Sequence, residues 1–352
     1  MSVVDRFRRP ARAAKAPAEK APAEKAPAGP RAPRAGWPIV AAKELADDLL
    51  DARFYVLILI LGLVGAGTVY FSSDAIRSSA SQASGTPSLF LLMFLIGQEG
   101  SPIPPFYSLI GFLLPLIGIA FGFDAINGER AQGTLPRLLS QPIHRDDVIN
   151  GKFAAGLAVI ATILVALTAM VAGIGIVRLG ISPSAEDVLR LIAWLVVSIV
   201  YVGFWLSFAT LCSVAFRRAA SSVLVSIGLW LGVTLFADFL VSAVSSFLAP
   251  AGANASTEAQ VNNAGWTQLL SQLSPSYLYQ EATVVLFNPS IRTIGVLLPS
   301  QAEQLQTGGV PSPLSIDQSL LLVWPQIVAI VALTVISFAV AYVLFLRQEV
   351  RA

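Results

Sequence analysis

The stretch DAINGERAQGTLPRLLSQPIHRDDVINGK, residues 124–152, governs how the rest of the chain is read. It is long and charged, and an apolar run stands on either side of it. Glu129, Arg130, Arg137, Arg145, Asp146, Asp147 and Lys152 are costly to place in hydrocarbon, so the segment belongs in water beside a membrane. Leu135, Leu138 and Leu139 recur at i, i+3 and i+4, which sets three leucines on one face of a short helix. Thr134 can cap that helix, Pro136 is tolerated in its first turn, and Pro142 ends it. A small amphipathic helix in a water-facing loop needs a cover for its apolar face. Two covers remain open: the ends of the chain's own helices, or a soluble partner that docks on the leucines.

Working outward, the chain has 352 residues, of which 55% are hydrophobic and 12% charged. Soluble domains carry about 25% charged residues, so composition alone argues for a membrane protein. Six runs, near 54–72, 105–123, 153–177, 190–215, 220–243 and 320–346, approach or exceed the roughly 20 helical residues that cross a bilayer. The run Leu89–Ile96 is too brief and reads as an interfacial or re-entrant piece. The expected fold class is therefore all-α and polytopic, with six transmembrane helices. Of the 23 Lys and Arg residues, all but Arg77, Arg178, Arg190 and Arg292 fall on the side that holds the N-terminus and the 124–152 loop. Cytoplasmic segments collect Lys and Arg, so this side is expected in the cytoplasm, with both termini, in the inner (cytoplasmic) cell membrane.

The flanking segments divide accordingly. Residues 1–35 are rich in Ala, Pro, Lys, Arg and Glu and repeat Ala-Pro-Ala-Glu-Lys at 16–20 and 21–25. They cannot bury a core and are expected to form a disordered basic cytoplasmic tail beside anionic lipid rather than a nucleic-acid reader. Residues 36–53 read as an interfacial helix, with Leu45, Leu49 and Leu50 on one face and Trp37 at headgroup level. No signal peptide is visible, and the membrane domain is expected over 54–352. Its extracytoplasmic segment 244–319 is rich in Ser, Gln, Asn and Gly. There Ser274-Pro275 reads as an N-cap and first helical residue, with the helix stopping at Asn288-Pro289 and a partner helix at 264–273.

Much chemistry is excluded. A single Cys212 and a single His144 rule out an internal disulfide, a thiolate cluster and a multi-His metal site. Gly128 to Thr134 mimics half a phosphate loop but lacks its Lys and lies outside any strand–helix unit, and no nucleophile–His–acid set exists. No catalytic residue, metal ligand or cofactor site is expected on this chain. The six runs carry no ionisable residue near their centres, and Asp238 falls near the far boundary of the fifth, which weighs against an ion-coupled carrier. No polar stripe argues for a channel. Gly118–Gly122 and Gly228–Gly232 both fit Gly-x-x-x-Gly, a close-packing pattern open to use within one bundle or between two.

Glu129-Arg130, Gly133-Thr134-Leu135, Leu138-Leu139-Ser140, Pro142-Ile143, Arg145, Val148-Ile149 and Gly151-Lys152 resemble the loop after the second membrane helix of type-2 ABC exporter permeases. The nearest group is similar to the permeases linked to multicopper-enzyme maturation and nitrous oxide reductase assembly. Family members often carry an acidic or polar residue where this chain has Pro136, which implies a shorter helix here. The resemblance implies an N-terminal elbow helix, a cytoplasmic coupling helix at 134–141, and re-entrant helices before the last span. It implies a separate cytoplasmic ABC ATPase subunit that holds ATP and Mg. Leu135, Leu138 and Leu139 would be its apolar contacts, and Glu129, Arg130 and Arg145 polar anchors. Gly133 and Gly151 would supply turns, with Thr134, Pro142 and Lys152 completing the docking set. A second permease copy or paralogue would meet this one near Gly228 and Gly232. Two functions follow as expectations. One is export of a hydrophobic or amphipathic substrate. The other is a non-transporting anchor that couples the ATPase to an extracytoplasmic partner or maturation factor.

Overall fold

A computed structural model of the chain describes residues 36–82, 89–95, 104–134, 144–252, 255–294 and 313–348. The expected basic tail at 1–35 and the leucine-bearing helix, with Leu135, Leu138, Leu139 and Pro142, lie outside the described residues. Among the described residues there are eleven helices and no strand. They are α1 (Trp37–Leu50), α2 (Ala52–Gln82), α3 (Leu89–Leu95), α4 (Phe106–Gly122), α5 (Asn127–Ala131), α6 (Arg145–Leu179), α7 (Ala185–Ala215), α8 (Ala219–Leu248), α9 (Thr257–Ser271), α10 (Pro275–Phe287) and α11 (Ile316–Arg347). Six of these, α2, α4 continued through α5, α6, α7, α8 and α11, are long and apolar enough to cross a membrane.

The six alternate in direction between two ends. At the loop end, α1 and α5 gather with the starts of α2, α6 and α8 and the finishes of α4, α7 and α11. At the opposite end, named the hairpin end for the three-residue turn 272–274 that joins α9 to α10, the two helices part, α9 packing on α8 and α10 on α3, α4, α7 and α11. Local sequence explains the boundaries. Ser184 and Asp187 cap α7 reciprocally, the Ser184 hydroxyl accepting from Asp187 N–H at 3.1 Å and Ser184 N–H donating to the Asp187 carboxylate at 2.8 Å. Gly180 closes α6 with φ of 67°, a left-handed backbone that suits glycine. Ser274 caps α10 with Pro275 in its first turn, as the sequence predicts. The partner helix α9 begins at Thr257, seven residues before the expected 264, because Ser256 accepts from Ala259 N–H and starts it earlier.

α7 lies at the centre and packs against α4, α6, α8, α10 and α11. Its Trp194, Tyr201 and Trp205 are fully buried. Trp194 meets Phe94 of α3, Phe106 of α4 and Phe287 of α10, and Tyr201 stacks on Tyr279 with ring centres 4.4 Å apart. At the hairpin end the buried Arg190 of α7 donates to the Leu286 and Leu314 carbonyls and to Ser319, and pairs with Glu186 at 2.9 Å. Cys212 is buried in α7 as a small filler. α8 and α11 turn most of their surface outward, with Phe236, Phe239, Leu321 and Trp324 exposed. Such faces are stable against lipid, not water.

The 124–152 segment is less of a loop than expected. α6 starts at Arg145, eight residues before the run near 153–177, and so takes up the charged stretch to Lys152. Asp146 and Asp147 stand in its first turn, where acidic side chains complement the positive end of the helix dipole.

Candidate functional site

Two described stems flank the undescribed stretch 135–143. On one side, α5 ends in a Schellman turn. Gly133 adopts φ of 69°, its N–H donates to Arg130 O at 3.3 Å, and Thr134 N–H donates to Glu129 O at 3.0 Å. The Thr134 hydroxyl donates to the Glu129 carboxylate and so folds back on α5. On the other side, Asp147 accepts from His144 N–H at 3.2 Å, the reach-back that opens α6.

Both stems are tied to α1. Lys152 is the hub: its ammonium meets Glu44 of α1 at 2.6 Å and Glu129 of α5 at 3.2 Å, with the lysine side chain only 8% exposed. Asp147 also accepts from Trp37 N–H at 2.9 Å, satisfying a free donor at the start of α1. Gly151 lets the two helices approach. A Cβ there would sit 2.6 Å from Val40 Cβ and 3.0 Å from Trp37 O. The expected turn at Gly151 is therefore corrected to a close helix–helix contact, because Gly151 lies inside α6 and not at its edge. Gly133 does supply the turn expected of it.

The remaining anchors join the stems to the bundle. Arg53 forms a bidentate pair with Asp124, at 3.0 and 2.6 Å, which fastens the start of α2 to the end of α4. Ile126 and Asn127 N–H groups donate to Ser213 of α7 at 3.0 and 3.1 Å. Arg130 donates to the Gln348 side chain, Arg145 to Gln348 O at 3.1 Å, and Gln348 in turn to Val214 O at 2.8 Å. Glu129, Arg130, Arg145 and Lys152 thus hold α5 and α6 to α1, α7 and the end of α11. Glu44, Asp147, Ser213 and Gln348 complete this network and were not singled out from the sequence. Asp147 carried a signal, an acidic third residue of a helix; the other three join this network across at least 86 residues of chain and carried none.

Between α1, α4 and α5 lies a cavity of ≈ 280 Å³ lined by Glu44, Asp47, Asp48, Asp51, Asp124 and Glu129, with Arg53 and Lys152. Burial, reinforced by Glu44 and opposed by Lys152, pushes the Asp48 carboxyl up to about 6. Among the described residues no group of His, Cys, Asp and Glu is arranged to hold a metal ion.

The two glycine pairs part company. A Cβ at Gly118 would meet Val202 O at 2.7 Å, and one at Gly122 would meet Ala209 Cβ at 2.7 Å, so this pair packs α4 against α7 inside the bundle. Among the described residues, a Cβ at Gly228 or Gly232 would meet nothing within 4 Å. They line an apolar groove of ≈ 740 Å³ with Phe236, Leu240 and Val244 of α8 and Leu273 at the hairpin tip.

The model of the ABC-2 family transporter proteins matches residues 38–350. The chain is 27% identical over 212 residues to the probable ABC transporter permease protein NosY of Stutzerimonas stutzeri, covering 58% of this chain and 69% of that protein. It is 32% identical over 114 residues to the probable ABC transporter permease protein NosY of Pseudomonas aeruginosa, covering 32% of this chain and 36% of that one. The family match runs from α1 through the end of α11, so the chain belongs to the ABC-2 family of transporter proteins and is the membrane component of an ABC transporter.

Proposed function

We propose that the chain is the permease subunit of an ATP-driven exporter that moves a hydrophobic or amphipathic substrate, with ATP and Mg held by a separate cytoplasmic ATPase. One observation carries this reading. Both stems of the 135–143 segment are bolted to helices α4 and α6 and to α1, through Lys152, Glu129, Glu44 and Asp147. A push on the leucine helix therefore reaches two membrane helices without being lost in a slack loop. Leu135, Leu138 and Leu139 are the apolar contacts that enter the ATPase cleft. Glu129, Arg130, Thr134, Arg145, Gly151 and Lys152 set the angle at which the helix is presented, and Gly133 and Pro142 bound it. The loop end faces the cytoplasm of the cell membrane, and closure of two ATPases on ATP tilts paired bundles that meet near Gly228 and Gly232.

The test is the double substitution Leu138→Asp with Leu139→Asp. A charge is strongly disfavoured in a desolvated apolar contact, so ATPase co-purification and substrate-stimulated turnover are expected to fall at least about tenfold. Co-purification and turnover equal to the parent protein would overturn the docking claim.

A second reading has its own support. α9 carries no buried residue among those described, although it packs against α8. A helix so little covered by its own chain suits a partner on the hairpin side. In this reading the ATPase works mechanically on an extracytoplasmic maturation factor. Transport by sealed vesicles separates the two.

A further inference from the structure

The hairpin end holds an ionisable group that the mechanism above does not use. Glu281 of α10 is half-buried, and its carboxylate accepts from Gln326 Nε2 of α11 at 2.9 Å and more loosely from the Tyr277 hydroxyl at 3.5 Å. Neither Lys nor Arg lies within ion-pair distance of it among the described residues. Gln326 is 3% exposed, and its carbonyl oxygen, Oε1, has no hydrogen-bond partner among the described residues. A buried amide oxygen left unpaired costs free energy comparable to a lost hydrogen bond. Gln326 lies seven residues along α11 from Ser319, which is held by Arg190, so the pair sits roughly 10 Å inside that clasp by helix rise.

The arrangement has acceptors to spare and few donors. A carboxylate offers about four acceptor positions, and among the described residues Glu281 accepts one good bond and one long one. What fits is a ligand that only donates. One carboxylate and one amide are too few for a calcium or magnesium ion, which takes six or more oxygens. An ammonium group, with its compact charge and N–H donors, matches. Ser274, Tyr277 and Glu281 follow at i, i+3 and i+7, one face of α10. The Ser274 end of that face lines the apolar groove between α8 and α9, roughly 10 Å from the carboxylate along the helix.

We infer that Glu281 and Gln326 form a binding site for the ammonium head of an amphipathic ligand whose apolar tail lies in the adjoining groove. The inference rests on the transport reading only for the identification of that ligand as cargo.

Equilibrium binding tests it without the ATPase. The full chain in maltoside detergent is titrated with dodecylamine, and separately with dodecyltrimethylammonium, which has the same charge and tail but no N–H. Tryptophan-monitored melting reports binding. Saturable stabilisation by dodecylamine is expected, at a concentration about tenfold below that of the trimethyl compound, the size of losing one or two charge-assisted hydrogen bonds. Glu281→Gln, which keeps shape and removes charge, should abolish the preference, and Gln326→Leu should reduce it. Equal half-saturation by the two amphiphiles in the parent protein overturns the site, whether or not the variants fold. An unchanged preference in a folded Glu281→Gln protein does the same. Failure of the docking test above would leave this result standing, and the reverse also holds.

Discussion

Lys152 shows how a residue at the edge of a charged loop becomes the centre of a site. Its two carboxylate partners come from α1 and α5, and all three side chains are largely withdrawn from water. Two carboxylates answer its ammonium from opposite sides, which offsets the cost of holding that group so far from water. Asp48, close by, is the opposite case. It lies among carboxylates in a partly buried cavity, and its folded-state value of about 6 stands above the ordinary 3.8. Between pH about 4 and 6 the folded protein thus holds a proton that the unfolded chain has released, so stability from this residue is full in acid and is lost as pH rises through 6. Asp48→Asn is expected to raise the melting temperature at pH 7.5 and to make no difference at pH 4. A melting temperature that is equally raised at both values would show that the carboxyl is not the strained group. The effect is smaller than the shift alone implies, because Asp48 keeps some contact with solvent.

The helices teach the same lesson about one motif with two uses. Gly118 and Gly122 bring α4 onto the backbone of α7, whereas a Cβ at Gly228 or Gly232 would meet nothing within 4 Å among the described residues. Gly122→Leu is therefore expected to overpack the bundle and lower its stability by about 1–3 kcal/mol or more. Gly232→Leu should leave the isolated subunit within about 0.5 kcal/mol of the parent. Melting of both variants in detergent, side by side, checks this, and equal losses would refute the distinction. From sequence the two pairs look alike, because spacing reports that a face is small, not what lies opposite. Element existence was legible for good reason: six apolar runs, the Ser274-Pro275 start and the Asn288-Pro289 stop are local signals. The early starts of α6 and α9 were not, since an N-cap in water extends a helix past the end of its apolar run. The polar network on Lys152 was invisible because Glu44 lies 108 residues away in the chain.

At the scale of the whole molecule, the free side of α8 matters most. Among its described residues only Ser222, Ser226, Trp230 and Ser245 are buried. A helix so sparsely packed, with two glycines opening a groove in its outer face, has room for the second permease copy proposed above. Gly228→Ile combined with Gly232→Ile fills that groove, and crosslinking in detergent is expected to recover several-fold fewer dimers. Undiminished dimer yield would remove α8 from the seam. Arg190 has a different consequence, which concerns how the chain is made. Its guanidinium is borne by α7, yet its other partners arrive later, with the Leu286 carbonyl first and Leu314 and Ser319 last. While the ribosome is still working, a cation already delivered to the bilayer has, of these partners, Glu186 alone to answer it. Insertion of α10 and α11 supplies the missing acceptors, so helices made later latch the ones made before them.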